Sequence, residues 1–223
     1  MLHRFAPRLA LPLAAFMPAL AVAPVAQAQT TTPVVLETTL GDITIALETE
    51  RAPITAGNFL RYVDEQRLDG TVFYRAMRLD WGEQPNGLIQ GGTQNEPRRL
   101  LPPIAHEPTS QTGVTHEAGA LSMARLAPGT ATGDFSIMLS PQPGLNADPG
   151  NEDPDIALGY AAFGKVIDGM DVVRAIFDSP VDPDKGDGWM RGQMLAEPVR
   201  IVGARRVEEP AASSPMQETS SAR

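Results

Sequence analysis

The chain has no cysteine among its 223 residues. This absence excludes disulfide bridges, thiolate metal sites, a thiol nucleophile and lipid attachment to a thiol. If the protein is exported, its stability must therefore come from core packing alone. The 42% of hydrophobic residues is enough to build one sizeable core.

Basic residues are scarce relative to acidic ones, with 18 Lys and Arg against 27 Asp and Glu. Removal of the first 28 residues would take away two arginines and no acid, so the net charge would be 16 minus 27, or −11. A nucleic acid presents a negatively charged backbone and binds basic surfaces. The sequence therefore argues against a nucleic-acid partner.

The first 28 residues resemble a secretory signal peptide. Arg4 and Arg8 precede an apolar stretch from Leu9 to Val25, which ends in the small-residue triplet Ala26–Ala28. We expect cleavage after Ala28 and a periplasmic or secreted mature protein without a stable membrane anchor. The alternative is a retained anchor, but three prolines interrupt the apolar stretch.

The opposite end of the chain is a polar tail over residues 208–223, rich in Ser, Ala, Glu and Thr. Such a segment has almost nothing to bury, and we predict that it is disordered. A short linker is expected over residues 29–33. One domain then remains, over residues 34–207.

The pattern of apolar residues predicts a mainly β domain. Val34–Glu48 contains two β-branched runs broken at Gly41-Asp42, which is typical of a hairpin. Pro53 stands at a plausible helix start, and apolar residues recur at helical spacing to Val63. The further strands are predicted at Thr71–Arg75, Ala120–Ala124, Phe135–Leu139, Ala161–Val166 and Val199–Val207, with a second helix at Met170–Phe177. Several strands with two helices favour a closed antiparallel barrel over a βαβ fold.

A long irregular stretch separates the third strand from residue 119. It is rich in Pro, Gly, Asn and Gln, with one apolar point at Leu88-Ile89. A stretch of this length inside a domain is usually functional. We therefore expect the site to include residues from it.

Five segments, in the same order, resemble those of the cyclophilin family. They are Ala52–Val63, Asp69–Arg75, Ile89–Gly92, Gly119–Arg125 and Phe163–Met170. The resemblance spans residues 34 to 206. It implies a closed antiparallel eight-stranded barrel capped by two α-helices, and peptidyl-prolyl cis/trans isomerase activity on proline-containing polypeptides. We expect a monomer that uses no cofactor.

The chemistry of this reaction needs a fixed hydrogen-bond donor. Rotation about an X-Pro bond has a barrier of about 18–20 kcal/mol, which is set by amide resonance. When resonance is lost the prolyl nitrogen becomes basic, so a donor aimed at it binds the transition state more strongly than the ground state. A guanidinium is always charged and its donors are rigidly placed. The resemblance assigns this role to Arg75, at the end of a predicted strand.

The other site residues also follow from the resemblance. Gln90 matches a glutamine that contacts the substrate carbonyl region, and we assign it to the catalytic pair with Arg75. The predicted substrate-binding residues are Phe73, Tyr74, Trp81, Leu88, Met123, Ala124, Arg125, Asp134, Ser136 and Tyr160. Tyr160 stands where many family members have a histidine, and its ring either walls the proline pocket or simply packs.

The sequence also departs from the family pattern. Fourteen residues, 76–89, separate Arg75 from Gln90, twice the family spacing. Gly87 stands where the family has an aromatic residue between them. Asp134 and Ser136 stand where the family's Gln-Phe-Phe-Ile strand has its glutamine and its second phenylalanine. Two pocket aromatics are thus missing. We expect the inserted Trp81, together with Leu88, to close over the groove beside Arg75 in their place.

Two other interpretations concern a metal site and a second function. The pairs His106-Glu107 and His116-Glu117 lack the spacing of a zinc motif, and the acidic residues from Asp148 to Asp155 lack the ligand order of a calcium loop, so no metal site is predicted. The missing aromatics leave open a second function. In it the barrel binds peptides or acts like a chaperone with little turnover.

Overall fold

The computed structural model describes residues 30–207. The predicted signal peptide at 1–28 and the predicted tail at 208–223 lie outside the described residues. The first strand begins at Thr32, two residues before the expected start of the domain, and the last strand ends at Arg206.

Nine strands and four α-helices form the described part of the chain. The strands are β1 Thr32–Thr38, β2 Gly41–Leu47, β3 Val72–Arg78, β4 Gly87–Gly92, β5 Ala120–Met123, β6 Phe135–Met138, β7 Ala162–Asp168, β8 Val181–Asp182 and β9 Met194–Arg206. The helices are α1 Pro53–Asp64, α2 Thr109–Thr112, α3 Pro154–Leu158 and α4 Met170–Asp178. Two short 3-10 turns span Pro143–Leu145 and Gly188–Met190.

The sheet closes on itself. Its strand order is β1-β2-β7-β5-β6-β4-β3-β9, and β1 also pairs with β9, so eight strands form a ring in which every pairing is antiparallel. The two-residue β8 lies outside the ring and pairs only with the start of β9. The predicted mainly β fold, a closed antiparallel eight-stranded barrel, is confirmed. The short helices α2 and α3 were not predicted.

The first hairpin turns two residues earlier than expected. Gly41 and Asp42 are already in β2 and pair with Thr38 and Glu37, so the turn consists of Thr39-Leu40. Alternate residues of both strands point into the barrel and are fully buried. The hairpin is therefore confirmed, with a corrected turn.

The two longer helices cover the barrel through apolar faces. Helix α1 begins at Pro53 as predicted and packs against β7 and β9. The ring centroid of its Phe59 lies 5.1 Å from the ring centroid of Phe135 and 5.3 Å from that of Phe163. Helix α4 packs against β2, β3 and β4, and its buried residues are Val173, Ile176 and Phe177. Aromatic and aliphatic packing at these faces supplies the main driving force for folding.

The inserted residues lengthen the β3–β4 hairpin. Strand β3 continues to Arg78, which pairs with Gly87, and residues 79–86 form the tip. Gly87 has a φ of 140°, and a Cβ added to it would lie 1.9 Å from the carbonyl oxygen of Met77. No side chain fits there, which explains why the expected aromatic is absent.

Within residues 30–207, the helices are too short or too polar to cross a lipid bilayer.

Candidate active site

A bulge in β3 directs Arg75 out of the barrel. Phe73 pairs with Gly91 and Arg75 pairs with Gln90, so Tyr74 is an extra residue on this strand. A bulge of this kind changes the direction of the following side chain and is common beside active sites. Phe73 stays in the core with 0% exposure, and Arg75 reaches the outer face.

A row of polar residues crosses four neighbouring strands on this outer face. Arg75 pairs with Gln90, Gln90 with Ser136, and Ser136 with Ser122. Directly paired residues point to the same face of a sheet, whereas the next residue along each strand points to the other. Ile137, beside Ser136, is fully buried in the core. The row therefore lies outside the core, on β3, β4, β6 and β5.

Two glutamine side chains hold the guanidinium of Arg75. Nε and Nη2 donate to Oε1 of Gln193 at 2.9 and 2.6 Å, and Nη1 donates to Oε1 of Gln90 at 2.6 Å. A guanidinium carries five N–H donors, so two remain free after these three bonds. Arg75 is only 3% exposed. Its orientation is fixed, and its free donors have little access to bulk water.

An indole ring covers the same guanidinium. The Cζ of Arg75 lies 4.4 Å from the ring centroid of Trp189, which is the distance of a cation–π contact. Trp189 lies in the connection between β8 and β9, and its carbonyl oxygen accepts a 2.9 Å hydrogen bond from Nε2 of Gln193. The same glutamine thus holds both the arginine and the segment that carries the tryptophan.

The prediction that Trp81 closes over Arg75 is corrected by this arrangement. Trp81 lies at the tip of the lengthened hairpin and is 61% exposed, and its carbonyl oxygen accepts hydrogen bonds from Gln84 and Asn86. The tip continues β3 and β4 past the Arg75–Gln90 pair. The insertion therefore extends the hairpin beyond this pair, and the ring over Arg75 comes from another connection.

Trp189 and Gln193 could not be found by inspecting the sequence near Arg75. Gln193 lies 118 residues from Arg75 along the chain, and no local motif marks it. The pairing of Arg75 with Met194 at the start of β9 brings them together. Only the strand order of the closed barrel reveals that contact.

An apolar row lies beside the polar one on the same face. Met77 pairs with Leu88 and Leu88 with Met138, and Ala120 and Leu145 complete this small cluster. Leu88 is 7% exposed and stands two residues from Gln90 on β4. It is thus placed next to the Arg75–Gln90 pair.

Tyr74 and Asp134 lie on the other side of the polar row. The Asp134 carboxylate accepts a 2.8 Å hydrogen bond from the backbone N–H of Gln94 and a 3.4 Å bond from the Thr93 hydroxyl. Burial raises the pKa of Asp134, and these bonds offset the rise only in part. Burial also raises the pKa of Tyr74, and the nearby Asp134 carboxylate adds to that rise. Ala124 joins this side, since its N–H bonds to the carbonyl oxygen of Asp134.

Tyr160 and Arg125 form a second stacked pair. The Cζ of Arg125 lies 4.6 Å from the Tyr160 ring centroid, and Nη2 donates to the carbonyl oxygen of Gly159 at 2.7 Å. Burial lowers the pKa of Arg75, while the hydroxyls of Tyr74 and Tyr160 act in the opposite direction. Tyr160 therefore contributes to the electrostatic surroundings of Arg75 and partly offsets the lowering of its pKa.

The structure thus gathers most of the predicted residues on one face, with two further exceptions. Phe73 is fully buried against Phe135, with ring centroids 5.7 Å apart, and Met123 is 2% exposed in the same core. We correct both to core residues, because a side chain enclosed by the barrel cannot touch a substrate. The predicted residues brought together on the outer face are Tyr74, Arg75, Leu88, Gln90, Ala124, Arg125, Asp134, Ser136 and Tyr160.

The two His-Glu pairs stabilise local structure. Glu107 is buried and accepts hydrogen bonds from the N–H groups of Ile54 and Thr55 at the start of α1. His116 is buried between Ser122 and Asn146, with both ring nitrogens at 2.8 Å from an oxygen. Residues 30–207 contain no group of three His, Cys, Asp or Glu side chains arranged for a metal.

Comparison with known proteins identifies relatives of this barrel. A family model described as cyclophilin type peptidyl-prolyl cis-trans isomerase matches residues 33–205. A peptidyl-prolyl cis-trans isomerase of Acinetobacter baylyi is 35% identical over 184 residues, covering 81% of this chain and 88% of the relative. The peptidyl-prolyl cis-trans isomerase A of Dickeya dadantii is 35% identical over 170 residues, covering 74% of this chain and 78% of the relative.

A solved structure shares the fold. The cyclophilin type peptidyl-prolyl cis-trans isomerase of Cryptosporidium parvum superposes with a TM-score of 0.60 at 21% identity, over 81% of this chain and 100% of that one. It has also been solved in the presence of the dipeptide Ala-Pro, and that structure superposes with a TM-score of 0.58 at 20% identity.

Proposed function

This chain belongs to the cyclophilin-type peptidyl-prolyl cis-trans isomerases, and from that premise we propose that it assists the folding of exported proteins by accelerating X-Pro isomerisation at Arg75. The substrates are proline-containing polypeptides. The observation that carries the proposal is the outward-facing guanidinium of Arg75, which two glutamines hold while two of its donors remain free.

Catalysis follows from the geometry of this group. The enzyme breaks no bond and has only to stabilise a twisted amide, whose nitrogen gains a lone pair as resonance is lost. A free N–H of Arg75 donates to that nitrogen in the transition state. Because the Gln193 and Gln90 oxygens already fix the guanidinium, little reorganisation is needed as the amide twists.

The surroundings of Arg75 strengthen this interaction. The side chain is 3% exposed, so water does not screen its charge as it would at an open surface. The side-chain oxygen of Gln90 accepts a hydrogen bond from Arg75, and its side-chain NH2 group can donate to a substrate carbonyl. The two side chains thus address opposite ends of the twisting peptide unit.

Substitution of Arg75 tests the assignment. We expect Arg75→Ala to lower kcat/KM by about 10²-fold or more, as for the loss of roughly 3 kcal/mol of transition-state stabilisation. Arg75→Lys should recover little, because an ammonium cannot bond both glutamine oxygens in the same fixed geometry. Isomerisation of an Ala-Pro peptide is measured by NMR exchange, and circular dichroism confirms that each variant is folded.

The same assay decides the second candidate function. Ser136 and Gly87 leave the site without two aromatic side chains, which favours a module that binds peptides with little turnover. Wild-type activity in a folded Arg75→Ala variant would exclude Arg75 as the catalytic group. Peptide binding with negligible turnover in the wild type would favour the binding module.

A further inference from the structure

We propose that Trp189 forms the apolar wall of the proline-binding site, and that it contacts the substrate ring beside Arg75. The inference rests on the proposed function, since it takes Arg75 as the catalytic group. It adds a residue that determines specificity, and that residue comes from the connection between β8 and β9.

The exposure of the indole is the first argument. Trp189 is 72% exposed although its ring touches the guanidinium of a nearly inaccessible arginine. Most of a large apolar surface therefore faces water at the edge of the site. Leaving such a surface exposed costs free energy that binding of an apolar group would recover.

The second argument is what the site lacks. Proline recognition needs apolar contact, but Ser136 occupies the position opposite Gln90 and has a small polar side chain. Gly87 cannot carry a side chain at all, because a Cβ would collide with the carbonyl oxygen of Met77. Leu88 supplies one apolar edge beside Gln90. Trp189 is the aromatic ring that the structure places against Arg75 itself.

The third argument is that the ring is held in place. Residues 183–193 connect two paired strands, with Asp182 opposite Met194. Within this connection, the N–H of Gly192 bonds to the carbonyl oxygen of Lys185 at 2.9 Å. Gln193 bonds Arg75 through its oxygen and Trp189 through its nitrogen. Arginine and indole are thus positioned as one unit.

Recognition then follows from the two groups together. The guanidinium lies over one face of the indole, so a proline ring meets both groups where the indole projects beyond Arg75, and there its nitrogen faces the free donors of Arg75. Aromatic faces pack well against such saturated rings. An alanine in place of proline would lose this contact, so Trp189 discriminates in favour of proline.

The test uses the fact that the chain has only two tryptophans. In a Trp81→Phe variant, Trp189 is the only indole, and its fluorescence is titrated with an Ala-Pro tetrapeptide and with a matched Ala-Ala tetrapeptide. We expect the emission to shift with the first peptide and not with the second. No shift with the Ala-Pro peptide at concentrations where NMR detects binding would overturn the proposal.

Kinetics provides the second readout. We expect Trp189→Ala to raise KM for the Ala-Pro peptide about tenfold with kcat changed much less, and Trp189→Phe to recover most of the loss. Trp81→Ala, which removes the other exposed indole, is the matched control and should leave KM unchanged. An unchanged KM in folded Trp189→Ala would show that the ring does not contact the substrate. A lower KM would show that the ring hinders substrate binding. Either result would overturn the proposal.

The outcomes separate this proposal from the proposed function. If Arg75→Ala loses activity and Trp189→Ala has a normal KM, the proposed function stands, and the proposal that Trp189 contacts the proline ring is wrong. If a folded Arg75→Ala variant keeps full activity, the assignment of Arg75 as the catalytic group fails. The fluorescence titration then tests by itself whether Trp189 contacts the proline ring.

Discussion

Asp134 is a buried carboxylate where the cyclophilin pattern has a neutral glutamine. Burial raises its pKa above the ordinary 3.8, so the folded protein holds this proton more tightly than the unfolded chain does. Stability therefore falls as the pH rises from the unfolded pKa through the raised folded pKa, and the cost persists at neutral pH.

We expect Asp134→Asn to remove this pH dependence. The amide oxygen can still accept from Gln94 and Thr93, and no charge is buried at neutral pH. Relative to the wild type, the melting temperature should rise at pH 7 and change less at pH 3.5, as thermal unfolding across this range would show. Glu83→Gln, which neutralises an exposed acid, is the control. A parallel shift at both pH values would contradict the explanation.

At the scale of elements, Asn86 anchors the tip of the β3–β4 hairpin. It is 4% exposed, and its side-chain oxygen accepts hydrogen bonds of 2.6 Å from both the Ser140 hydroxyl and the Gln142 amide. Its side-chain nitrogen donates to the carbonyl oxygen of Trp81 at 2.7 Å. One side chain thus ties the inserted hairpin to the segment that follows β6.

Asn86→Ala should therefore destabilise the protein and spare catalysis. It removes the acceptor shared by the partly buried Ser140 hydroxyl and the buried Gln142 amide, at a cost of about 1–3 kcal/mol. Urea unfolding would measure the loss, with the exposed Glu83→Ala as the control. We expect kcat/KM within about twofold of the wild type, because the Arg75–Gln90 pair lies outside this network. A large fall in activity without loss of stability would link the tip to the site.

How well each element could be predicted depends on its local signal. The β1–β2 hairpin and α1 have strong apolar patterns, and the structure has both. Strand β4 has a weak local signal, because Leu88 and Ile89 are the only large apolar residues in Gly87–Gly92. Its pairing with β3 and β6 stabilises it as a strand. The order of the sequence motifs singles out Arg75 and Gln90. No motif points to Trp189, which lies against Arg75 because β9 pairs with β3 in the closed barrel.

At the scale of the whole molecule, the N-terminal segment bears on where the enzyme acts. The apolar N-terminal stretch, which follows Arg4 and Arg8 and ends at Ala26–Ala28, supports our proposal that the protein acts outside the cytoplasm. Export would place the barrel among clients that fold after translocation.

Expression of the full chain in a Gram-negative host tests this placement. We expect a soluble periplasmic protein whose first residue is Gln29, because the small residues at Ala26 and Ala28 suit signal peptidase. Cell fractionation and N-terminal sequencing provide the measurement. Replacing Ala28 with a bulky residue should block cleavage. Intact chain in the membrane of wild-type cells would instead support the retained anchor.

The Arg78–Gly87 pair also has an evolutionary consequence. Chain added beyond this pair lengthens the hairpin without passing through the register that sets Arg75 opposite Gln90. Insertion of one residue before Arg75 would shift that register and turn side chains to the wrong face. Descendants of this protein are therefore free to acquire new residues at the hairpin tip, whereas the short run from Val72 to Arg75 tolerates neither gain nor loss.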